Sequence, residues 1–183
     1  LTLPHNKAGI WVLSDSGTAV TVVDPETGTM SSHPLGAHCL QLAASDARVV
    51  AACTNDNEAI ALDPRTGKVI RRVALVRPGI VVTSGDRTWI DTADGLTLLD
   101  QDLSKRVVYR GLTAALDGDL ALTGDGLWLR GYAGTLSHVD GTRSAVVEQL
   151  VQQKPLSAGS MIVTRDSFWL SANNEGIVLR VRR

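Results

Sequence analysis

The stretch Ile10–Gly28, IWVLSDSGTAVTVVDPETG, decides the fold, because its phrase returns four more times along the chain. A short apolar strand around Trp11 leads into a small polar turn, then an alternating strand, then the turn Asp24-Pro25-Glu26-Thr27-Gly28. Asp, Pro and Gly reverse a chain by different means: a side-chain acceptor, a preset φ, and tolerance of positive φ. The second copy, Ala51–Gly67, reads AACTNDNEAIALDPRTG and keeps that turn almost letter for letter. The third runs from Trp89 through Asp100, the fourth from Trp128 through Asp140, and the fifth begins at Trp169.

Working outward, the positions equivalent to Trp11 read as Val49, Trp89, Trp128 and Trp169, in steps of 38, 40, 39 and 41 residues. Three residues before these four stands an aspartate, Asp46, Asp86, Asp125 or Asp166, each in a short polar turn; the first copy has Ala8 there. A period of about 40 residues with four short strands in each points to propeller blades, not a helical solenoid. The expectation is an all-β propeller of four-stranded antiparallel blades, with about five repeats of ~39 residues. They fall at about 1–37, 38–77, 78–116, 117–157 and 158–183 in one domain. In the second repeat the strands read as Cys39–Ala44, Arg48–Cys53, Glu58–Asp63 and Lys68–Leu75, and Gln149–Lys154 as the end of an outer strand. The recurring Trp residues are expected on second strands, packed between neighbouring blades. Either Leu1–Leu3 pairs with Ile177–Arg182 and five blades close, or these are blades of a larger ring.

A formal net charge of -1, with both signs interspersed, leaves no basic field for a phosphate backbone, which argues against nucleic acid as a partner. No apolar run approaches the ~20 residues that span a bilayer, so direct membrane insertion is not expected. The chain begins at Leu1 instead of Met, which suggests a missing upstream portion and leaves a cleaved export signal open. Cys39 and Cys53 lie almost symmetrically about the turn at Ser45-Asp46. The favoured reading is two buried free thiols packing as small apolar groups; a bond across the strands is the alternative, decided by register.

The phrases IWVLSDSGTAVTVVDPETGTM, ALDPRTGKVI and FWLSANNEGIVLRV resemble the repeats of YncE-like, YVTN-type and streptogramin-lyase-like bacterial propellers, and Ala61–Lys68 also resembles a quinoprotein repeat. The resemblance covers nearly the whole chain. It implies a binding or scaffold module, often extracytoplasmic (periplasmic or secreted). Its enzyme branch implies a divalent metal near a His and Glu cluster, yet the four histidines His5, His33, His38 and His138 show no His-x-Glu or Glu-x-His pairing. No catalytic residue, metal site or cofactor is therefore assigned. The alternative is a streptogramin-type lyase or other metal-assisted enzyme with its catalytic residues partly outside this chain, and a third reading is a sensor module detached from a larger membrane receptor. The turn aspartates Asp24, Asp63, Asp100 and Asp140 read as turn-capping acceptors.

Function is placed on the loops at one end of the blades, because loops vary while strands hold the scaffold. The loops between second and third strands supply Asn55, Asp56, Asn57, Asp94, Tyr132, Asn173 and Asn174; the connections between blades supply His33, His38, Arg77, Arg110 and Lys154. Arg77, Tyr132, Asn174 and His38 are the expected ligand-binding residues, lining a depression that holds a protein or a small polar or anionic ligand without chemistry.

Overall fold

The computed structural model describes the chain except residues 1–3, 101, 105, 115–117, 132–134, 141–144, 152–156 and 158, and gives backbone alone at 106 and 147–151. The proposed strand Leu1–Leu3, and with it the proposed pairing to Ile177–Arg182, lies outside the described residues, as do Tyr132 and Lys154. Among the described residues every regular element is a strand, and no helix is long and apolar enough to cross a membrane.

The chain divides into two compact units, Leu1–Val108 and Tyr109–Arg183. The first holds three sheets. One contains β1 (His5–Asn6), β2 (Gly9–Leu13), β3 (Ala19–Val23) and β4 (Met30–Pro34), paired in that order. The next contains β5 (Gln41–Ala44), β6 (Val49–Cys53), β7 (Glu58–Leu62) and β8 (Val69–Ala74). The third contains β9 (Val81–Ser84), β10 (Arg87–Thr92), β11 (Gly95–Leu99) and β12 (Arg106–Tyr109), whose last residue crosses the boundary. The second unit holds a four-stranded sheet, β13 (Asp119–Thr123), β14 (Gly126–Arg130), β15 (Thr135–Asp140) and β16 (Ala145–Val151). It is followed by a three-stranded one, β17 (Met161–Val163), β18 (Ser167–Ala172) and β19 (Ile177–Arg182). Among the described residues the ladders run antiparallel between chain neighbours, the blade architecture expected from the repeat.

Register corrects the repeat count by one residue. Two residues separate the first two strands of each blade: Lys7-Ala8, Gly85-Asp86 and Gly124-Asp125 by the ladders. Asp46-Ala47 and Arg165-Asp166 do so beneath the bonds Ser45 N to Arg48 O and Thr164 N to Ser167 O, both 2.8 Å. Asp46 is thus the first residue of its turn, where Asp86, Asp125 and Asp166 are second. Counting from the turn, Trp11 is matched by Val50, not Val49, and the step to Val50, Trp89 and Trp128 becomes an even 39 residues. The next strand agrees: Trp11 faces Val22, Val50 faces Ala61, Trp89 faces Leu98 and Trp128 faces His138, each two residues ahead of the turn aspartate. One residue matters because it exchanges the two faces of a strand.

Those faces stack in a constant sense. Trp11, Val20 and the half-buried Val22 pack on Val49, Ala51 and Ile60 of the second sheet. Val50, Ala52 and Ala61, on its reverse, pack against Val81, Ile90 and Leu99 of the third. In the second unit Trp128 and Leu136 pack on Met161, Phe168 and Leu170, with Phe168 edge-on to the indole at 4.6 Å between centroids. In these three joints, each inside one unit, the Trp face of a sheet covers the sheet that follows. Trp89 is buried as well. Trp169 departs from the expectation, being 41% exposed, with the Arg180 guanidinium 5.4 Å from its ring centroid.

Cys39 and Cys53 form a disulfide, correcting the free-thiol reading. The strand expected from Cys39 begins only at Gln41, so Cys39 lies ahead of the ladder, where alternation of faces no longer binds it. Leu40 continues the pairing by donating its N–H to Ala52 O (3.0 Å), while Cys39 N–H bonds Gly17 O (2.9 Å) in the first blade. Asp24, Asp63 and Asp100 cap turns as expected, Asp100 Oδ1 accepting from Ser104 N (3.0 Å), while the turn after Asp140 lies outside the described residues. Asp24 Oδ1 accepts from Glu26 N (2.8 Å), and Asp63 Oδ1 accepts from Arg65 N (2.9 Å) and Thr66 N (2.8 Å).

Candidate functional site

In an up-and-down blade, the turn between the second and third strands and the connection to the next blade emerge at the same end. The first unit shows how the chain locks them together. The connection after β4 bonds back to the first blade's turn through Leu35 N to Thr18 O (2.8 Å) and forward to the second blade's turn through His38 N to Asp56 Oδ2 (2.7 Å). The connection after β8 repeats the pattern. Arg77 N donates to Asn57 Oδ1 (3.0 Å), Leu75 N to Asn57 O (2.9 Å), and Ala93 N to Val76 O (2.9 Å) in the third blade. Turns and connections thus form one hydrogen-bonded rim from Ser14 to Gly95.

His38 and Arg77, both expected site residues, stand on either side of the turn Asn55-Asp56-Asn57. Each is bound through its backbone N–H and leaves its side chain exposed. Asn57 and Arg77 have φ values of 55° and 46°, in the left-handed region. Asn tolerates that region; Arg does so at a conformational cost. The exposed acids Asp15, Asp56 and Asp94 share this rim with Arg77 and His38, so its charge is mixed, not cationic. His33 is not part of it. It lies within β4 opposite Val20, with Nε2 3.1 Å from Ser31 Oγ and its ring against Gly67, so the expectation that it belongs to a connection is corrected.

The second unit builds the same kind of end. Asn174, the expected site residue there, donates its backbone N–H to Ser157 Oγ (2.9 Å), and the Ser157 hydroxyl bonds Glu175. Beneath them sits Arg130, only 3% exposed, whose guanidinium donates to Ser171 O (2.7 Å), Ser157 O (2.8 Å) and Ser160 O (3.3 Å). Sequence reading missed Arg130. The available signal was a charged residue two positions after Trp128, on the face of β14 that carries the buried indole. Asp119 completes this arrangement by accepting Met161 N–H (2.7 Å) and Leu120 N–H (2.8 Å). Burial holds its carboxyl above the ordinary range, against those two bonds and the attraction of Arg130. Arg110 is exposed in the turn after β12. Among the described residues no three of His, Cys, Asp and Glu stand close enough together to hold a metal ion.

No protein-family model matches the chain, and no curated protein matches it in sequence. Its fold is similar to that of solved structures. The computationally designed Ika8 protein superposes with a TM-score of 0.74 at 16% identity, over 99% of this chain and 57% of that one. BamB from Moraxella catarrhalis gives 0.72 at 19% identity, over 97% of this chain and 59% of that one. BBS1N, solved in complex with ARL6DN, gives 0.69 at 12% identity, over 91% and 55%. The chain therefore spans less than two thirds of the length of these three. At such identities the likeness is one of fold, and the fold is that of β-propeller blades.

Proposed function

We propose that this chain is a non-catalytic binding module of the YncE-like, YVTN-type kind, and that it acts outside the cytoplasm by holding a protein partner on its rim end. The observation that carries this reading is the rim itself. Backbone bonds fix its turns from blade to blade while His38, Asp56, Arg77 and Asp94 remain outward and exposed. Rigid scaffolding under exposed polar side chains limits the entropy lost on binding. The mixture of three acids with Arg77 and His38 suits a polar protein surface of mixed charge better than a small anion. BBS1N, whose fold is similar, is a propeller solved with a protein partner. The disulfide supports the compartment, since such bonds persist in oxidising surroundings and are rare in the cytosol.

A photo-crosslinking amino acid at position 77, compared with one at position 65 on the opposite end, tests the proposal in the native host. The reading expects partner adducts from position 77 and none from position 65. Adducts from position 65 alone, or from neither, would overturn it.

A further inference from the structure

The turn between β11 and β12 departs from its counterparts in the first two blades. There a glycine takes the left-handed position four residues after the aspartate, with Gly28 N–H on Asp24 O (2.8 Å, φ 70°) and Gly67 N–H on Asp63 O (2.9 Å, φ 67°). In the third blade Leu103 takes it after only three residues, with its N–H on Asp100 O (3.0 Å) and a φ of 57°. A bulky residue at positive φ is strained; such strain persists where the surroundings fix it, and it gathers at binding sites. Two arginines of the second blade do the fixing. Arg48, only 4% exposed, donates to Asp100 O (2.9 Å), and Arg71 donates to Asp102 O (2.7 Å).

Between these arginines and the short turn lies a cavity of about 580 Å³, within the roughly 300–1,000 Å³ usual for small-molecule sites. Successive residues of a regular strand point to opposite faces, yet Ile70 and Arg71 of β8 both line this cavity. A bulge allows it: Leu62 pairs with Val69 and Ala61 with Arg71, which leaves Ile70 as the extra residue. Three kinds of wall result. Ile70, 59% exposed, and the buried Leu103 are apolar, Arg71 is an exposed cation, and Asp102 is an exposed acceptor. Asp86, Asp100 and Asp102 all attract Arg48, so its charge is balanced within the protein. Arg71 is the cation left to meet a ligand.

We infer that this cavity binds an N-acylated apolar amino acid, free or as the last residue of a short peptide. Its carboxylate meets the planar fork of Arg71, which matches that group in shape and charge. Its amide N–H meets Asp102, and its side chain lies on Ile70 and Leu103. The neighbouring Asp102 carboxylate disfavours a phosphate dianion. Turns joining first to second and third to fourth strands build the cavity, so it opens at the blade end opposite the rim and the inference stands apart from the rim's function.

Titration of the unaltered chain with N-acetyl-L-leucine, followed by amide chemical shifts, should saturate and should move Ile70, Arg71, Leu103 and Ser104 most. N-acetyl-L-leucinamide lacks the anion and N-acetylglycine lacks the side chain; each should bind about tenfold or more weakly. A tetrapeptide ending in leucine that binds tighter than N-acetyl-L-leucine identifies a peptide as the occupant, and equal affinity identifies the single amino acid. Arg71→Gln should abolish the preference for the carboxylate. Ile70→Ser, at an exposed position, should abolish the preference for leucine over glycine. Each variant is read as a ratio between two probes, which a general loosening of the fold does not imitate, and near-ultraviolet circular dichroism confirms that each is folded. Absence of saturation, or shifts centred elsewhere, overturns the inference. Inorganic phosphate binding as tightly as N-acetyl-L-leucine, or either variant leaving its ratio unchanged, overturns it as well.

Discussion

Trp128 and Trp169 stand at the same place in their repeats, three residues past a two-residue turn ending in aspartate, on the second strand of a blade. One is 0% exposed and the other 41%. The repeat phrase fixes where on the strand an indole sits and which side it faces. Whether that side is dry depends on the next sheet, which the phrase does not contain. This comparison ranks the first expected effect. Trp128→Ala should cost on the order of 3–5 kcal/mol, because a large buried ring is lost and its surroundings collapse only partly. Trp169→Ala should cost less than about 1 kcal/mol in dilute protein, as for exposed substitutions generally. Denaturant titration of the two variants decides it, and equal losses would mean the two sheets are covered alike.

The second contrast lies between the units. The first carries a covalent link with a sequence separation of 14 residues and the second has none. Closing a loop of that size restricts the unfolded chain by about 3 kcal/mol. Cys39→Ser combined with Cys53→Ser, or reduction in mild denaturant, should lower the stability of the first unit by about that amount. Hydrogen exchange should then rise in β5–β8 and stay unchanged in β13–β19. Uniform loss would show that the units unfold together.

Much of this was legible in the sequence, for reasons that particular residues make clear. Blades, strand order and turns followed from Trp-Val phrases and Asp-Pro-x-Thr-Gly, since strands of period 2 and turns of fixed chemistry are local properties. The buried indoles at Trp11, Trp89 and Trp128 were expected for the same reason. Asp46 misled the count, because an aspartate serves either position of a two-residue turn and only the ladder shows which. The disulfide was missed because Cys39 lies one residue outside the alternation used to judge it. Trp169 was misplaced because its surroundings belong to another sheet. At the candidate site, the loops that share an end were readable from blade topology. What joins them was not: Asn57 to Arg77 and Asp56 to His38 tie one turn to the connections on either side of it, 18 to 20 residues away in sequence, and Arg130 needs three carbonyls from a distant segment.

Acid acts in opposite directions on the turn aspartates and on Asp119; the second unit also holds turn aspartates, Asp125 and Asp166, that are shifted down. In the first unit Asp24 and Asp63 are held below the ordinary carboxyl range, chiefly by backbone N–H groups of Glu26 and Thr66 respectively. A lowered folded-state pKa contributes stability that is complete above the unfolded value of about 3.8 and is lost as pH falls through the folded value. Asp119 in the second unit is raised by burial, so its carboxylate opposes folding, and stability falls as pH rises from about 3.8 through its folded value. Between pH 5 and pH 2 (on the order of the window these groups span), Asp24→Asn with Asp63→Asn should flatten the acid loss. Asp119→Asn should instead remove the penalty seen at neutral pH. Denaturation midpoints across that range read both, and an Asp119→Asn variant less stable at neutral pH would show that its two accepted hydrogen bonds outweigh its burial.

The smallest effect is expected at the rim, where backbone and side chain have separate duties. Arg77 is held by its N–H on Asn57 Oδ1 and has a φ of 46°, a region glycine enters freely and arginine does not. Arg77→Gly keeps the N–H, relieves the strain and removes the guanidinium, although glycine also gains freedom in the unfolded chain. The two terms oppose each other, so stability should change by less than about 1 kcal/mol. Asn57→Ala keeps the side chain of Arg77, removes the acceptor beneath it and puts alanine at a φ of 55°, and should cost about 1–3 kcal/mol, one such bond plus the strain of that conformation. Thermal melts of the two variants compare rim backbone with rim side chain directly. If Arg77→Gly proves the more damaging, the guanidinium supports the fold, and the rim loses its central candidate for contact with a partner.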